Sequence, residues 1–212
     1  MRLAIVAMWV TSTLAIFGAD RRIRWLEVAF KPVTTLLLFG VVGWPHGEDA
    51  RFACLVATGI ALSVVGDVAL LWEGNRAFMV GLAAFLLAHV AYVIAFLGVA
   101  VWSPHVAIVA VVVVASSLVL LRLTWKGSAG LHPAVIAYAA VITTMVVSAS
   151  ATVGGRLPLA PFAAVGSVLF YVSDSSLALN RFRRPIPHVA FLALGVYWLG
   201  QLGIAIAAAS SF

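Results

Sequence analysis

The sequence predicts an all-α integral membrane protein with eight transmembrane helices, arranged as two parallel four-helix repeats about a pseudo-two-fold axis along the membrane normal. Three observations carry this. Of the 212 residues, 64% are hydrophobic and only 9% charged, with a mean hydropathy of +1.15. Apolar runs of about 17 or more residues recur along the whole chain, long enough to span a bilayer as helices. Residues 57–71 and 164–178 align without a gap, with identities at Ala57/Ala164, Gly59/Gly166, Leu62/Leu169, Val65/Val172, Asp67/Asp174 and Leu70/Leu177. The two aspartates stand 107 residues apart, half the chain length. One transmembrane domain over 1–212, with repeats over 1–104 and 105–212, leaves no room for a separate soluble domain.

The spans follow in order at about 3–19, 27–43, 51–72, 77–99, 105–124, 133–153, 159–180 and 187–209. The first resembles a signal peptide in having Arg2 before an apolar run. The arginines that follow it oppose translocation, and Phe17-Gly18-Ala19-Asp20 lacks a small-x-small cleavage site, so the sequence predicts a retained helix. The breaks carry turn-forming residues: Gly43 through Gly47 with Trp44, Pro45 and His46, then Ser103-Pro104, Gly127 through Pro133, Gly154-Gly155 with Pro158, and Pro185-Ile186-Pro187. Trp25, Trp44, Trp72, Trp102 and Trp125 fall near span ends, at headgroup level. The single cysteine, Cys54, cannot form an intramolecular disulfide and reads as a packing residue.

The formal charge of +6 is topological rather than a sign of nucleic-acid binding. Nine basic residues (Arg21, Arg22, Arg24, Arg76, Arg122, Lys126, Arg181, Arg183 and Arg184) fall in the odd-numbered connections, against Arg2, Arg51 and Arg156 on the opposite side. The positive-inside rule then places both termini of a multi-pass cell-membrane protein outside the cytoplasm. Counting about 1.5 Å per residue, Asp67 and Asp174 lie about 8 to 10 Å below the cytoplasmic surface. Lys31 and Tyr138 enter from that side, at the same offset of 107 residues. His89, Tyr92, Tyr197 and Gln201 lie near the middle of spans four and eight. The polar set therefore occupies one half of the membrane, which predicts a cavity open to the cytoplasmic leaflet.

A carboxylate at the bilayer centre costs about 2.5 to 3.5 kcal/mol on insertion scales, so Asp67 and Asp174 need a cavity, a partner or a proton. They serve either chemistry or an interhelical polar pairing with Lys31. Lys31 itself can snorkel and pair with Glu27 one turn earlier. His89 and Tyr92 share a helix face and suit a hydrogen-bonded core pair as well as a site. Ser173, Ser175 and Ser176 suit bonds back to helix carbonyls, and His46, His105, His132 and His188, at span ends, suit solvation. A metal would draw on Asp67, Asp174 and His89, too few for a well-formed site, and neither metal nor cofactor is expected. There is no G-x-S-x-G, H-E-x-x-H or phosphate-cradling glycine loop. Two carboxyls in a low-dielectric cavity cannot both ionise cheaply, so an acid and an anion side by side are expected, a combination suited to a reaction through a cation.

Lys31-Pro32-Val33-Thr34, Gly66 through Leu71, Gly81 through Tyr92, Phe170-Tyr171-Val172-Ser173-Asp174 and Tyr197-Trp198-Leu199-Gly200-Gln201 together resemble the YhhN-like lysoplasmalogenase family. Their order and spacing run from span two to span eight. Ser167 stands where that pattern has a small alanine. The resemblance implies an eight-span membrane hydrolase that cleaves the vinyl ether bond of lysoplasmalogens to a fatty aldehyde and a glycerophospho-ethanolamine or -choline. It implies a lysophospholipid substrate in the bilayer and no nucleic-acid partner. In that picture Asp67 and Asp174 are catalytic, the choice of acid and anion left open. Lys31 holds the anion or the lipid phosphate, His89 and Tyr92 orient water or the ether oxygen, and Tyr138, Ser173, Tyr197 and Gln201 support or line the cavity. The alternative is a lipid-binding or transport protein using the same polar cavity.

Overall fold

The computed structural model describes residues 1–43 and 50–209. Within them the chain forms α1 (Arg2–Arg21), α2 (Arg24–Leu36), α3 (Phe39–Val42), α4 (Ala50–Ala69), α5 (Asn75–Leu97), α6 (Pro104–Thr124), α7 (His132–Ser150), α8 (Ala160–Phe182) and α9 (Val189–Ala209), with no strand among the described residues. With α2 and α3 taken as one interrupted span, eight segments are long and apolar enough to cross a membrane. These make the chain a multi-pass membrane protein.

The second span is not the continuous helix its hydropathy predicts. Pro32 lies inside α2, where its missing N–H leaves the carbonyl one turn earlier without an intrahelical donor. One turn further on the ladder tightens to i→i+3 bonds, Leu38 to Thr35, Gly40 to Leu37 and Val41 to Leu38. The third span ends at Ala69 rather than residue 72 and the seventh runs on to Phe182. The eighth begins at Val189 rather than 187, after Pro187 and a left-handed His188 with φ 52°. Trp44, Pro45, His46 and Gly47 lie outside the described residues.

Four antiparallel hairpins make up the bundle, and α4 with α5 and α8 with α9 are its most extensive pairings. The close approach of α8 and α9 depends on glycine. A Cβ on Gly200 would stand 2.7 Å from the Gly166 carbonyl oxygen, and one on Gly166 2.5 Å from that of Gly200. Small residues at facing positions let membrane helices pack backbone to backbone. On α4, Gly59 opens the space that the Tyr92 ring fills, 2.2 Å from where its Cβ would be. α9 is the inner helix, buried from Gly200 through Ala205, and α6 the most peripheral.

The odd-numbered connections meet at one end of the bundle. Arg24 donates to the Leu71 carbonyl, His188 Nδ1 lies 2.7 Å from Asp20 Oδ1, and Arg181 donates to Asn75 Oδ1 at 3.1 Å. At the other end Val101 N–H donates to the Ala151 carbonyl, and His105 bridges Ser103 and the Ser150 carbonyl. His105 and His188 are exposed, as solvation requires, and with His132, stacked on Trp125 at 3.9 Å, they also tie loops and helix ends together. Trp25, Trp72, Trp102 and Trp125 are exposed near span ends. Cys54 is exposed on the outer face of α4, not packed in the core as its apolar context predicts.

Candidate active site

A cavity of about 130 Å³ lies in the half of the bundle that ends in the α4–α5, α6–α7 and α8–α9 connections. Its polar groups include Lys31, Asp67, Tyr138, Ser173, Asp174, Tyr197 and Arg181, and its walls are apolar, with Leu82, Phe85, Leu120, Leu121 and Ile142 among them. Asp67 and Asp174, far apart in sequence, face this one space.

Asp67 is 1% exposed and surrounded by donors. Lys31 Nζ lies 3.7 Å from its Oδ1, and the hydroxyls of Thr35 at 2.6 Å and Tyr197 at 2.9 Å donate to Oδ2. The direction of both bonds is set from behind. Trp198 Nε1, which can only donate, gives its proton to Thr35 Oγ1 at 3.1 Å, so the Thr35 proton points to Asp67. Gln201 Nε2 donates to Tyr197 at 3.3 Å and to Ser63 at 2.8 Å, while its Oε1 accepts from Tyr92 at 2.6 Å. The branches through Thr35 and Tyr197 end on one carboxylate as acceptor, while Ser63 donates onward to the Gly59 carbonyl at 2.9 Å.

Asp174 is less enclosed. Its side chain is 14% exposed, with His89 Nε2 at 3.6 Å from Oδ2, beyond hydrogen-bond range. The Tyr138 hydroxyl donates to the same Oδ2 at 2.5 Å. No hydrogen bond to Oδ1 is found among the described residues, and Asp174 lines the cavity. The His89 ring is fully buried, packed against Phe170 at 4.6 Å and Tyr138 at 5.3 Å.

Several expectations change. Lys31 is 6% exposed and turned to Asp67, and no ion pair with Glu27 is found among the described residues. Tyr92 and Gln201 do not line the cavity; they lie behind Tyr197, as part of the network that orients it. Nor are His89 and Tyr92 bonded to each other, because Tyr92 is taken by Gln201. His89 sits behind Asp174 and is likewise absent from the lining. Ser173 bonds across to the Ala193 carbonyl of α9 at 2.9 Å, while Ser176 and Ser167 do bond back within α8. Among the described residues no three His, Cys, Asp or Glu side chains converge as a metal site.

Thr35, Ser63 and Trp198 belong to the network although the sequence reading passes over them. A signal was present for two of them. Thr35 stands four residues after Lys31 and Ser63 four before Asp67, the spacing that places side chains on one helix face.

Fold and site define a helical membrane protein with two carboxylates on a half-membrane cavity. The chain belongs to the YhhN family, whose model matches residues 26–208. It is 30% identical over 195 residues to "Lysoplasmalogenase TMEM86B" of Sus scrofa, covering 91% of this chain and 79% of that one. "Lysoplasmalogenase TMEM86A" of Homo sapiens is 30% identical, with 88% and 80% covered. "Lysoplasmalogenase" of Mycobacterium tuberculosis is 32% identical, with 82% of this chain and 65% of its own covered. No solved structure matches the chain.

Proposed function

We propose that this chain hydrolyses the vinyl ether bond of lysoplasmalogens, releasing a fatty aldehyde and a glycerophospho-ethanolamine or -choline, with Asp174 as acid and Asp67 as anion and base. The observation that carries this reading is the unequal surroundings of two aspartates on one apolar cavity. Membership of the YhhN family and the names of its relatives supply the bond.

Asp67, with a cation and two fixed hydroxyl donors, is arranged as an acceptor. Asp174, less enclosed and with no hydrogen bond to one oxygen among the described residues, is placed on the cavity to deliver a proton. Protonation of the vinyl ether β-carbon by Asp174 yields an oxocarbenium ion. The Asp67 carboxylate stabilises that cation and takes a proton from the water that captures it, giving a hemiacetal. Collapse of the hemiacetal moves its hydroxyl proton to the departing glycerol oxygen and releases aldehyde and alcohol. Transfer of the remaining proton from Asp67 back to Asp174 resets the site, so one water is consumed.

The surroundings of the two aspartates also support a repeat relation between the halves. Lys31 reaches Asp67 and Tyr138 reaches Asp174 at the same offset of 107 residues, each from the span before its aspartate. Tyr197 of the last span reaches Asp67, and His89 of the fourth lies beside Asp174, so each half lends a side chain to the other.

The test is incubation of the purified protein with alkenyl, alkyl and acyl lysophospholipids, with detection of free aldehyde. Aldehyde from the alkenyl lipid alone is expected. Failure to release it, or hydrolysis of the acyl lipid instead, would overturn the assignment.

A further inference from the structure

Four charged side chains line the cavity: Lys31, Asp67, Asp174 and Arg181. Lys31 is deep and committed to Asp67. Arg181 stands at the other end, one residue from the end of α8, with no carboxylate partner among the described residues. It is nevertheless held in place. One nitrogen donates to Asn75 Oδ1 at 3.1 Å, and the guanidinium carbon lies 4.7 Å from the centre of the Phe78 ring. Phe78 and Phe182, edge to face at 6.0 Å, form the rim beside it. A guanidinium has five N–H donors in a fixed fork suited to phosphate oxygens, and Asn75 uses one.

We infer that Arg181 is the phosphate-recognition residue of this site, setting a phosphorylated single-chain lipid so that its sn-1 linkage falls between Asp67 and Asp174. This rests on the lysoplasmalogen reading and goes beyond it in fixing which end of the lipid is read, and by what. The spacing carries the argument. Arg181 stands seven positions after Asp174 on α8, a rise of about 10 Å. In a lysoplasmalogen six bonds separate phosphorus from the first vinyl carbon, about 7 Å when extended at the reach per bond of an extended chain. A guanidinium–phosphate contact adds about 3 Å more. With the phosphate at Arg181 the vinyl ether reaches the aspartates, and the hydrocarbon runs on toward the deeper apolar wall at Phe85 and Ile142. Lys31, engaged with Asp67 at the opposite end, is not the headgroup ligand.

The test compares kcat/KM of the purified protein for 1-alkenyl-glycerophosphoethanolamine and for 1-alkenylglycerol, which lacks the phosphate. Wild type should prefer the phosphorylated lipid, and Arg181→Gln should lower that preference about 10- to 100-fold, chiefly through KM. Arg181→Lys, which keeps a charge without the fork, should fall between them. Arg181 only clamping α8 to α5 would lower both substrates alike and leave the ratio unchanged, overturning the inference. So would a wild type indifferent to the phosphate, a result that needs no variant. Equilibrium binding of the non-cleavable 1-alkyl-glycerophosphoethanolamine and 1-alkylglycerol separates this inference from the reaction. A loss on Arg181→Gln confined to the phosphorylated ligand upholds it even if no aldehyde is released, and equal binding of both overturns it.

Discussion

At the level of single residues, the two aspartates differ in what they have been given. Asp67 accepts hydrogen bonds from two branches of donors that start at Tyr92 and Trp198, both buried in the core. Asp174 lines the cavity with a less enclosed side chain. Asp67→Asn and Asp174→Asn preserve size but can neither carry charge nor supply an acidic proton. Each is expected to lower aldehyde release about 10²- to 10⁴-fold, the range for loss of a catalytic acid or base, with yield and helicity retained. Wild-type turnover in either variant would remove that carboxylate from the mechanism. Gln201→Leu acts at a distance: it strands the Tyr92 hydroxyl and takes from Tyr197 and Ser63 the donor that orients them. Unpaired buried polar groups cost about 1 to 3 kcal/mol, so a fall in unfolding temperature of several degrees is expected, with a smaller loss of turnover than for Asp67→Asn. An unchanged melting curve would show the network to be idle.

At the level of elements, the cavity exists because α8 and α9 meet backbone to backbone, which brings Tyr197 on α9 beside Asp67 while Asp174 on α8 faces the same space. Gly200→Ala would set a methyl 2.7 Å from the Gly166 oxygen and 2.9 Å from the Phe170 nitrogen, and backbone cannot move aside as a side chain can. Overpacking of this kind costs about 1 to 3 kcal/mol, worth about 2 to 4 °C per kcal/mol in a chain of this size. Gly195→Ala on the same helix is the control, since its methyl meets only Ile16 at an ordinary 3.8 Å. The detergent-solubilised Gly200→Ala variant is expected to unfold several degrees below Gly195→Ala. Equal melting temperatures would mean that the two helices part without cost.

At the level of the whole molecule, the cavity and the basic loops share one end of the bundle. Nine basic residues border that end against three at the other, so the positive-inside rule predicts a cavity mouth at the cytoplasmic leaflet. A C-terminal fluorescent fusion that matures only in the cytoplasm is expected to stay dark, and a phosphatase fusion active only outside it to report. The opposite pair of results would invert the molecule in the membrane. It would move the cavity mouth to the other leaflet without altering the chemistry within.

The sequence by itself determined the eight spans and singled out the two aspartates that line one cavity. Span length and the cost of charge in hydrocarbon act locally and leave their mark on composition. It also placed Lys31 and Tyr138 at matching positions, because their spacing from the aspartates lies along the chain. What the sequence left open was decided by packing between distant helices. That Tyr197 crosses to Asp67, that Tyr92 and Gln201 lie behind the cavity, and that Arg181 rather than Lys31 stands at the rim depend on which helix faces lock together. Those facings are set by glycine contacts such as Gly166 with Gly200, whose meaning appears only when the two backbones touch. The break at Leu37–Leu38 also departs from the predicted continuous helix, because a hydropathy run records apolar length and not a local tightening of the hydrogen-bond ladder. Proton direction was the last thing to be legible: it follows from an indole and an amide each donating to a different hydroxyl, a property of the assembled core and of no single segment.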